Sequence, residues 1–375
     1  MTNWLYFADT PLQLYNSYLL ASSKANKDDA SDVIIYSQFS GAAELGEVYR
    51  QTNRFRFVYL CTEHYCANFK QRFLWQLYAC LGGSRLNLSH LKNIHYDYFA
   101  FACPTPAALD VLQTLRKINP DVKTVLFEDG TGIYNGNVFL QPFYFDKPPD
   151  TSLCGFPYVR AIQSTLTKLH AKKMLYNPCR LYAKKPELLQ YSPNIPCEAI
   201  EVAPHVLEPL ACLAPQNEKL LRNEKKTIIL DVPRTKQENE GSQLIDQMVQ
   251  AAQIFDSPCY VRAHPRSTLA TAFGESCIDF SEGSWELLCQ TPCFDDSILI
   301  SLGSSAQLAP FIESGKKPFL IFLYKLAFEQ GNRSYEAYDQ IASIAAQGYG
   351  IDANRIAVPV SIDDAVLAIS KFMDE

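Results

Sequence analysis

The sequence predicts an α/β protein built from two Rossmann-like halves, and three observations predict it. Short apolar runs, the length of buried strands, alternate with stretches of helical periodicity. A proline-rich stretch separates two such alternating patterns. The polar residues able to do chemistry fall repeatedly just after a strand, where open parallel sheets bind their ligands.

In the first half, Trp4–Ala8 reads as a strand ending in Asp9-Thr10-Pro11. Leu12, Leu14, Tyr15, Tyr18, Leu19 and Leu20 then recur at helical spacing, with Thr10 as N-cap and Pro11 at the first helical position. That helix N-terminus is equally a plain cap or an anion or acceptor site. Val33–Tyr36, Phe55–Leu60 and Tyr96–Ala102 are further strands, and Thr105–Ile118 is a helix leading into the strand Val122–Phe127. That strand runs into Glu128-Asp129-Gly130-Thr131-Gly132. Two carboxylates stand where the sheet would bind a ligand, and two glycines follow where the backbone turns. Asp-Gly is also a common turn dipeptide, so the stretch is either punctuation or a reactive edge. No GxGxxG follows any strand, which removes the dinucleotide fingerprint.

Between Thr151 and Pro186 the bases Arg160, Lys168, Lys172, Lys173, Arg180, Lys184 and Lys185 are interrupted by no acid. Leu166, Leu169, Met174, Leu175 and Leu181 are interleaved with them. Residues 160–185 are either a solvated face or a peripheral contact with an anionic membrane or acceptor. Six prolines from Pro186 to Pro215 make regular structure hard to sustain, because proline removes backbone donors. The expected division is an N-terminal domain over 1–205, a linker over 206–225 and a C-terminal domain over 226–375.

The second half repeats the pattern. Strands are expected at Thr227–Leu230, Cys259–Ala263, Ile278–Phe280, Ile298–Leu302 and Pro318–Leu323. Helices are expected at Gln243–Phe255, from Trp285, from Ala306, and at Asp363–Phe372. The strand ends carry Asp231-Val232-Pro233, His264-Pro265-Arg266 and Gly303-Ser304-Ser305. A histidine there can donate a proton or a charge-assisted hydrogen bond to a phosphate, and Arg266 offers a bidentate anion contact. Gly303-Ser304-Ser305 opens a helix and reads as a phosphate cradle, and Glu286 either holds ribose hydroxyls or favours a helix dipole.

Composition sets the bounds. The 375 residues suit two domains, and 47% apolar with 20% charged residues describe a well-cored chain. The net charge of -6 argues against a general nucleic-acid binder. Twelve cysteines include no CxxC pair, and Cys61/Cys66 and Cys289/Cys293 have the wrong spacing for common zinc sites. They read as small core hydrophobes, with Cys80, Cys212 and Cys289 in apolar settings. Neither a signal peptide nor an uninterrupted apolar span is found, so a cytoplasmic protein is expected.

Phe127-Glu128-Asp129-Gly130-Thr131-Gly132, His264-Pro265-Arg266 and Ser304-Ser305, in that order, resemble the bacterial sialyltransferases of glycosyltransferase family 52. These include the lipooligosaccharide α-2,3-sialyltransferases. Asp9-Thr10-Pro11-Leu12-Gln13 is similar to that family's first strand–turn–helix, so the matched blocks run from residue 9 to about 310. The resemblance implies a GT-B fold with two Rossmann-like domains facing each other across a cleft. It also implies a CMP-linked sialic acid or related nonulosonate donor, and a glycan or glycolipid acceptor such as lipooligosaccharide or capsule. Inversion at the anomeric carbon with no metal, no separate cofactor and a homodimer complete what it implies.

Carried over residue by residue, His264 is the acid or phosphate stabiliser for the leaving CMP. Arg262, Ala263, Pro265, Arg266, Trp285, Glu286, Ser304 and Ser305 fall on nucleotide-contacting positions. Thr10, Glu128, Gly130 and Thr131 would line the acceptor side. The family's aspartate base on the loop after the first strand of the second domain has no counterpart at its expected place. Glu240 or Asp129 is the expected base, with Glu238 and Asp231 as the remaining choices. A UDP-hexose transferase of the same architecture and a non-catalytic glycan- or nucleotide-binding protein are the alternative functions.

Overall fold

A computed structural model of the chain describes 2–62 apart from 38 and 40, then 86, 88–103, 105–134, 178–193, 195–201, 203–214, 220–222, 224–234, 240–255, 257–264, 267, 277–280, 283–291 and 294–374. It divides into two compact units, Met1–Leu210 and Ala211–Glu375.

The first unit holds strands β1 (Asn3–Ala8), β2 (Ala30–Tyr36), β3 (Phe57–Cys61), β4 (Tyr98–Phe101), β5 (Lys123–Phe127), β6 (Pro178–Ala183) and β7 (Cys197–Ala199). They pair in parallel throughout, in the order β3-β2-β1-β4-β5-β6-β7. A parallel sheet covered on both faces needs strands that are apolar on both faces. Leu5, Tyr6, Phe7, Ile34, Phe99, Ala100 and Val125 accordingly have essentially no exposure. The chain builds outward from β1 to β3, then returns past β1 to lay down β4. The winding direction therefore reverses between β1 and β4.

Helices α1 (Pro11–Ala21) and α3 (Pro106–Ile118) follow the two strands at that reversal, and α2 (Ala42–Gln51) follows β2. Their starts use the same chemistry. Thr10 Oγ1 accepts from the Gln13 amide at 3.2 Å and Thr105 Oγ1 from the Ala108 amide at 3.3 Å, each with proline opening the helix. Each hydroxyl satisfies an amide that the helix itself cannot, worth about 1 kcal/mol.

The second unit repeats the winding. Strands β8 (Lys226–Leu230), β9 (Cys259–Arg262), β10 (Cys277–Asp279), β11 (Ser297–Ser301), β12 (Phe319–Phe322) and β13 (Ile356–Ala357) lie in the order β10-β9-β8-β11-β12-β13. All pair in parallel. The helices are α4 (Glu240–Ala252), α5 (Trp285–Leu288), α6 (Ala309–Ser314), α7 (Tyr324–Ala327), α8 (Arg333–Tyr349) and α9 (Ile362–Asp374). Ile245 and Met248 of α4 and Ile369 of α9 pack on Ile229, Val261, Ile300 and Ile321 of the sheet. Full burial of each such side chain stabilises the unit by roughly 1.5–3 kcal/mol. Here the reversal falls between β8 and β11.

Several expectations need correction. The proline-rich 186–215 stretch is not devoid of regular structure: it contains β7 and 3-10 turns at Pro186–Leu188 and Pro204–Leu213. A three-residue edge strand such as β7 asks for few donors, so proline can flank it. Of the basic segment, 160–177 lie outside the described residues. Arg180 stands in β6, paired with Glu198 at 3.1 Å. Cys289 is buried as expected, but Cys212 is exposed, and Cys80 lies outside the described residues. Among the described residues, no helix is long and apolar enough to cross a membrane.

Candidate functional site

Each sheet has one place where two neighbouring strands send their following loops to opposite sides. In open α/β sheets, the crevice at that reversal is where ligands bind. In the first unit the reversal lies between β1 and β4, and three residues converge there from three strand ends. Asp9 follows β1, Cys103 follows β4 and Asp129 follows β5.

Hydrogen bonds tie the three together. Gln13, in the first turn of α1, accepts from the Asp9 amide through Oε1 at 3.0 Å and donates through Nε2 to Asp129 Oδ2 at 3.1 Å. The Cys103 thiol donates to the same Asp129 Oδ2 at 2.8 Å. Burial pushes the Asp9 carboxyl up from its ordinary 3.8 to about 6, and the charge on Asp129 adds to the shift. Side-chain hydrogen bonds from Thr105 and Gln13 oppose it only in part. Burial, and then Asp129, push the Cys103 thiol far upward, so it stands as a neutral donor. A raised carboxyl beside a second carboxylate at a strand end has the makings of acid–base chemistry.

The rest of the Phe127–Gly132 turn is scaffold. Gly130 has φ +67, a backbone that other residues rarely adopt. Glu128 is 2% exposed. Its Oε2 accepts from the Tyr134 hydroxyl at 2.6 Å and the Lys184 amide at 2.8 Å, and its backbone carbonyl accepts from Asn16 Nδ2 at 2.8 Å. Glu128 thus clamps the end of β5 to the end of β6, with Oε2 taken up by two donors. Thr131 is buried, and the Thr10 hydroxyl is spent on its cap.

In the second unit, a pocket of about 1010 Å³ lies at the β8–β11 reversal. Val232 and Pro233 after β8, Leu302 after β11, and Phe328, Asn332 and Tyr338 line it. It is of the size that takes a nucleotide-sized ligand. Tyr338 lies against Gly303, whose φ is +154. A Cβ there would come within 2.4 Å of the Tyr338 ring.

Among the residues singled out from sequence, Arg262 and Trp285 are linked to the turn that carries Ser304 and Ser305. Arg262, ending β9, donates to the Phe280 carbonyl at 3.2 Å and the Gly283 carbonyl at 2.9 Å. Its guanidinium also stacks 5.6 Å from the Phe280 and Trp285 ring centres. Trp285 is buried and its indole donates to the Ala306 carbonyl at 2.9 Å. Glu286 accepts from the Ser284 hydroxyl at 2.9 Å. Arg262 is therefore a brace that fixes Trp285, and Trp285 in turn fixes the Ser304–Ala306 turn.

That turn is not the open amide cradle the sequence suggested. The amides of Gly303 and Ser304 both donate to Ser301 Oγ, at 2.9 and 2.7 Å. Ser301 Oγ donates onward to Gln307 Oε1 at 2.6 Å. What the turn presents outward is the exposed Ser305 and the half-buried Ser304, whose hydroxyl caps the Ala306 amide at 3.2 Å.

Half-buried Ala263 and His264 follow β9, and the His264 carbonyl accepts from the Ser267 amide at 2.8 Å. Pro265, Arg266 and Glu238 lie outside the described residues. Glu240 opens α4. Asp231 is taken up: its Oδ2 pairs with Arg234 Nε at 2.7 Å, its Oδ1 accepts from the Val232 amide at 2.8 Å, and its side chain is wholly buried. Arg234 reaches on to Asp246 at 2.7 Å. A carboxylate held this way is a structural anchor, which leaves it unsuited to taking a proton.

Two parallel sheets of the same winding order match known proteins over the whole chain. Spinosyn forosaminyltransferase SpnP superposes with a TM-score of 0.57 at 10% identity, over 100% of this chain and 91% of that one. The fold is of the GT-B type. A UDP-N-acetylglucosamine 2-epimerase follows at TM-score 0.53 and 10% identity, covering 100% of this chain and 88% of the other. CalG4, the calicheamicin glycosyltransferase, gives 0.51 at 11% identity over 100% and 99%. No protein-family model matches the chain, and no curated protein does. The GT-B fold agrees with the sequence reading, while the reaction class, family 52 and a CMP donor go further than these likenesses reach.

Asp9, Gln13 and Cys103 are functional candidates that sequence reasoning missed. In the sequence Asp9 reads as part of a turn and Cys103 as a core hydrophobe. The available signal was positional, since both stand directly after strands, as Asp129 does.

Proposed function

We propose that the chain is an inverting glycosyltransferase that moves sialic acid, or a related nonulosonate, from a CMP donor to a sugar hydroxyl of a surface glycan. The observation that carries the transferase reading is Asp129. It is an aspartate at the carboxyl end of a central strand, oriented by two donors at the winding reversal of its sheet. The CMP donor is supported by the ordered resemblance of the Glu128-Asp129-Gly130, His264-Pro265 and Ser304-Ser305 blocks.

Asp129 takes the proton of the acceptor hydroxyl, and the freed oxygen attacks the anomeric carbon. The bond from that carbon to the CMP phosphate breaks with inversion. The leaving phosphate keeps the electron pair and is met by His264 and the hydroxyls of Ser304 and Ser305. With Asp231 tied to Arg234, Asp129 is preferred to Asp231 as base. Glu240 is tested beside it.

The decisive experiment incubates the protein with CMP-sialic acid and galactose-terminated acceptors, with thermal shifts by CMP and UDP in parallel. Transfer together with a CMP shift is expected. A shift by UDP alone, with transfer from a UDP-sugar, would replace the donor assignment. His264→Ala is expected to lose transfer by about a hundredfold or more while melting normally, as loss of a general acid does. Wild-type rates in that variant would remove His264 from the mechanism. Asp129→Asn and Glu240→Gln, assayed together, decide between the two bases.

A further inference from the structure

The geometry points to Cys103 as the positioning residue of Asp129, aiming the carboxylate so that Oδ1 is the oxygen that receives the acceptor proton. The inference rests on the proposed role of Asp129 as base and adds how that base is held.

A carboxylate on a strand-end loop can rotate about its last bond, and a base that rotates wastes encounters. Two donors prevent this here. The Gln13 amide and the Cys103 thiol both land on Oδ2, at 3.1 and 2.8 Å. They come from opposite sides of the winding reversal, Gln13 from α1 after β1 and Cys103 from the loop after β4. Oδ2 is thereby saturated, and among the described residues Oδ1 accepts no hydrogen bond.

A thiol suits the position because it remains a donor. A charged neighbour would either neutralise the base or titrate with it. Burial and the Asp129 charge keep the Cys103 proton on sulfur. The other groups facing the cluster are Asp9 from the end of β1, and Thr105 and Gln13, which carry no charge. Of these Asp9 is the carboxyl, and burial raises it.

The test uses the full chain with CMP-sialic acid and a galactose-terminated acceptor. Cys103→Ala is expected to lower kcat about tenfold with the acceptor KM changed by less than about twofold, the pattern of a misaimed base. Losing a donor to the carboxylate also moves the acid limb of the kcat profile upward. Cys103→Ser, which keeps a donor, restores kcat to within about threefold and returns the limb. Unchanged kcat and pH limb in Cys103→Ala, with Asp129→Asn inactive, would overturn the positioning role and leave Asp129 as base. An active Asp129→Asn would overturn both.

A second arm needs no turnover. Alkylation of Cys103 by iodoacetamide, followed by mass spectrometry of its peptide, is expected to run about tenfold faster in Asp129→Asn, because the anion that holds the proton on sulfur is gone. An unchanged rate would show that the thiol and carboxylate are not in contact, and the assignment would fall.

Discussion

Asp9→Asn should make the protein more stable, and by an amount that depends on pH. The Asp9 carboxyl ionises near 6 instead of its ordinary 3.8, mainly because it is buried. A shift of about two units at ~1.4 kcal/mol each sets a ceiling of about 3 kcal/mol. The side chain is only half-buried, so water screens part of this, and about 1–2 kcal/mol remains. The sign follows from the direction of the shift. The folded state holds the proton more tightly than the unfolded chain. The favourable contribution is therefore complete below about 3.8 and is lost as pH rises through about 6. Above that, the wild type carries a charge its surroundings oppose, whereas asparagine keeps the shape and cannot ionise. Scanning calorimetry that resolves both units should show the Asp9→Asn transition of the first unit about 3–6 °C higher at pH 8. About half of that gain should be present at pH 5, since the unfolded chain is already ionised there. A gain of equal size at both pH values, or none at pH 8, would refute the reasoning. Transfer should fall in the same variant, so that a gain in stability accompanies a loss of activity, as happens where a site is held under strain.

Two further substitutions separate scaffold from chemistry. Glu128→Ala leaves the Tyr134 hydroxyl and the Lys184 amide without their buried acceptor and should cost about 2–3 kcal/mol in chemical unfolding. Its effect on kcat should be no larger than its effect on the folded fraction, and a fully stable but inactive variant would return Glu128 to the substrate. Gly303→Ala places a methyl within 2.4 Å of the Tyr338 ring on a backbone of φ +154, and should cost about 2–4 kcal/mol. Adding Tyr338→Ala should recover less than the full loss, because the backbone strain and the 2.6 Å approach to the Tyr338 Cβ both survive removal of the ring. Complete recovery would mean that the contact with the ring alone matters.

Most of the fold was legible because its signals are local. A buried parallel strand must be apolar on both faces, so Trp4–Ala8, Val122–Phe127 and Ile298–Leu302 announce themselves as runs. Thr10-Pro11 and Thr105-Pro106 mark helix starts by capping chemistry alone. The strands β6 and β7 were hidden for the opposite reason. Pro178 opens one, the other is three residues long, and both owe their existence to pairing with β5 and with each other.

The site was half legible. Asp129 and the second unit's strand ends could be found because each stands after a recognisable strand. Which strand ends meet depends on strand order, and order is a long-range property. Only once β1, β4 and β5 are seen side by side do Asp9, Cys103 and Asp129 become one cluster. The same limit applies to bonding. Nothing in Gly303-Ser304-Ser305 reveals that Ser301 already consumes two of its amides, nor in Asp231-Val232-Pro233-Arg234 that the first acid is locked to the last base.

The brace formed by Arg262, Trp285 and the Ala306 carbonyl gives the chain a built-in optical probe. Indole emission responds to the hydrogen bond of its N–H and to a cation over its ring, and Trp285 has both. Its N–H is held by the turn that also carries Ser304 and Ser305. A ligand that engages those hydroxyls therefore perturbs the indole's acceptor directly. Trp4, stacked on Tyr98 within the core of the other unit, adds emission of its own. Occupancy of the second unit can thus be followed by tryptophan fluorescence in the unlabelled protein, with Trp4→Phe and Trp75→Phe to leave Trp285 as the one indole.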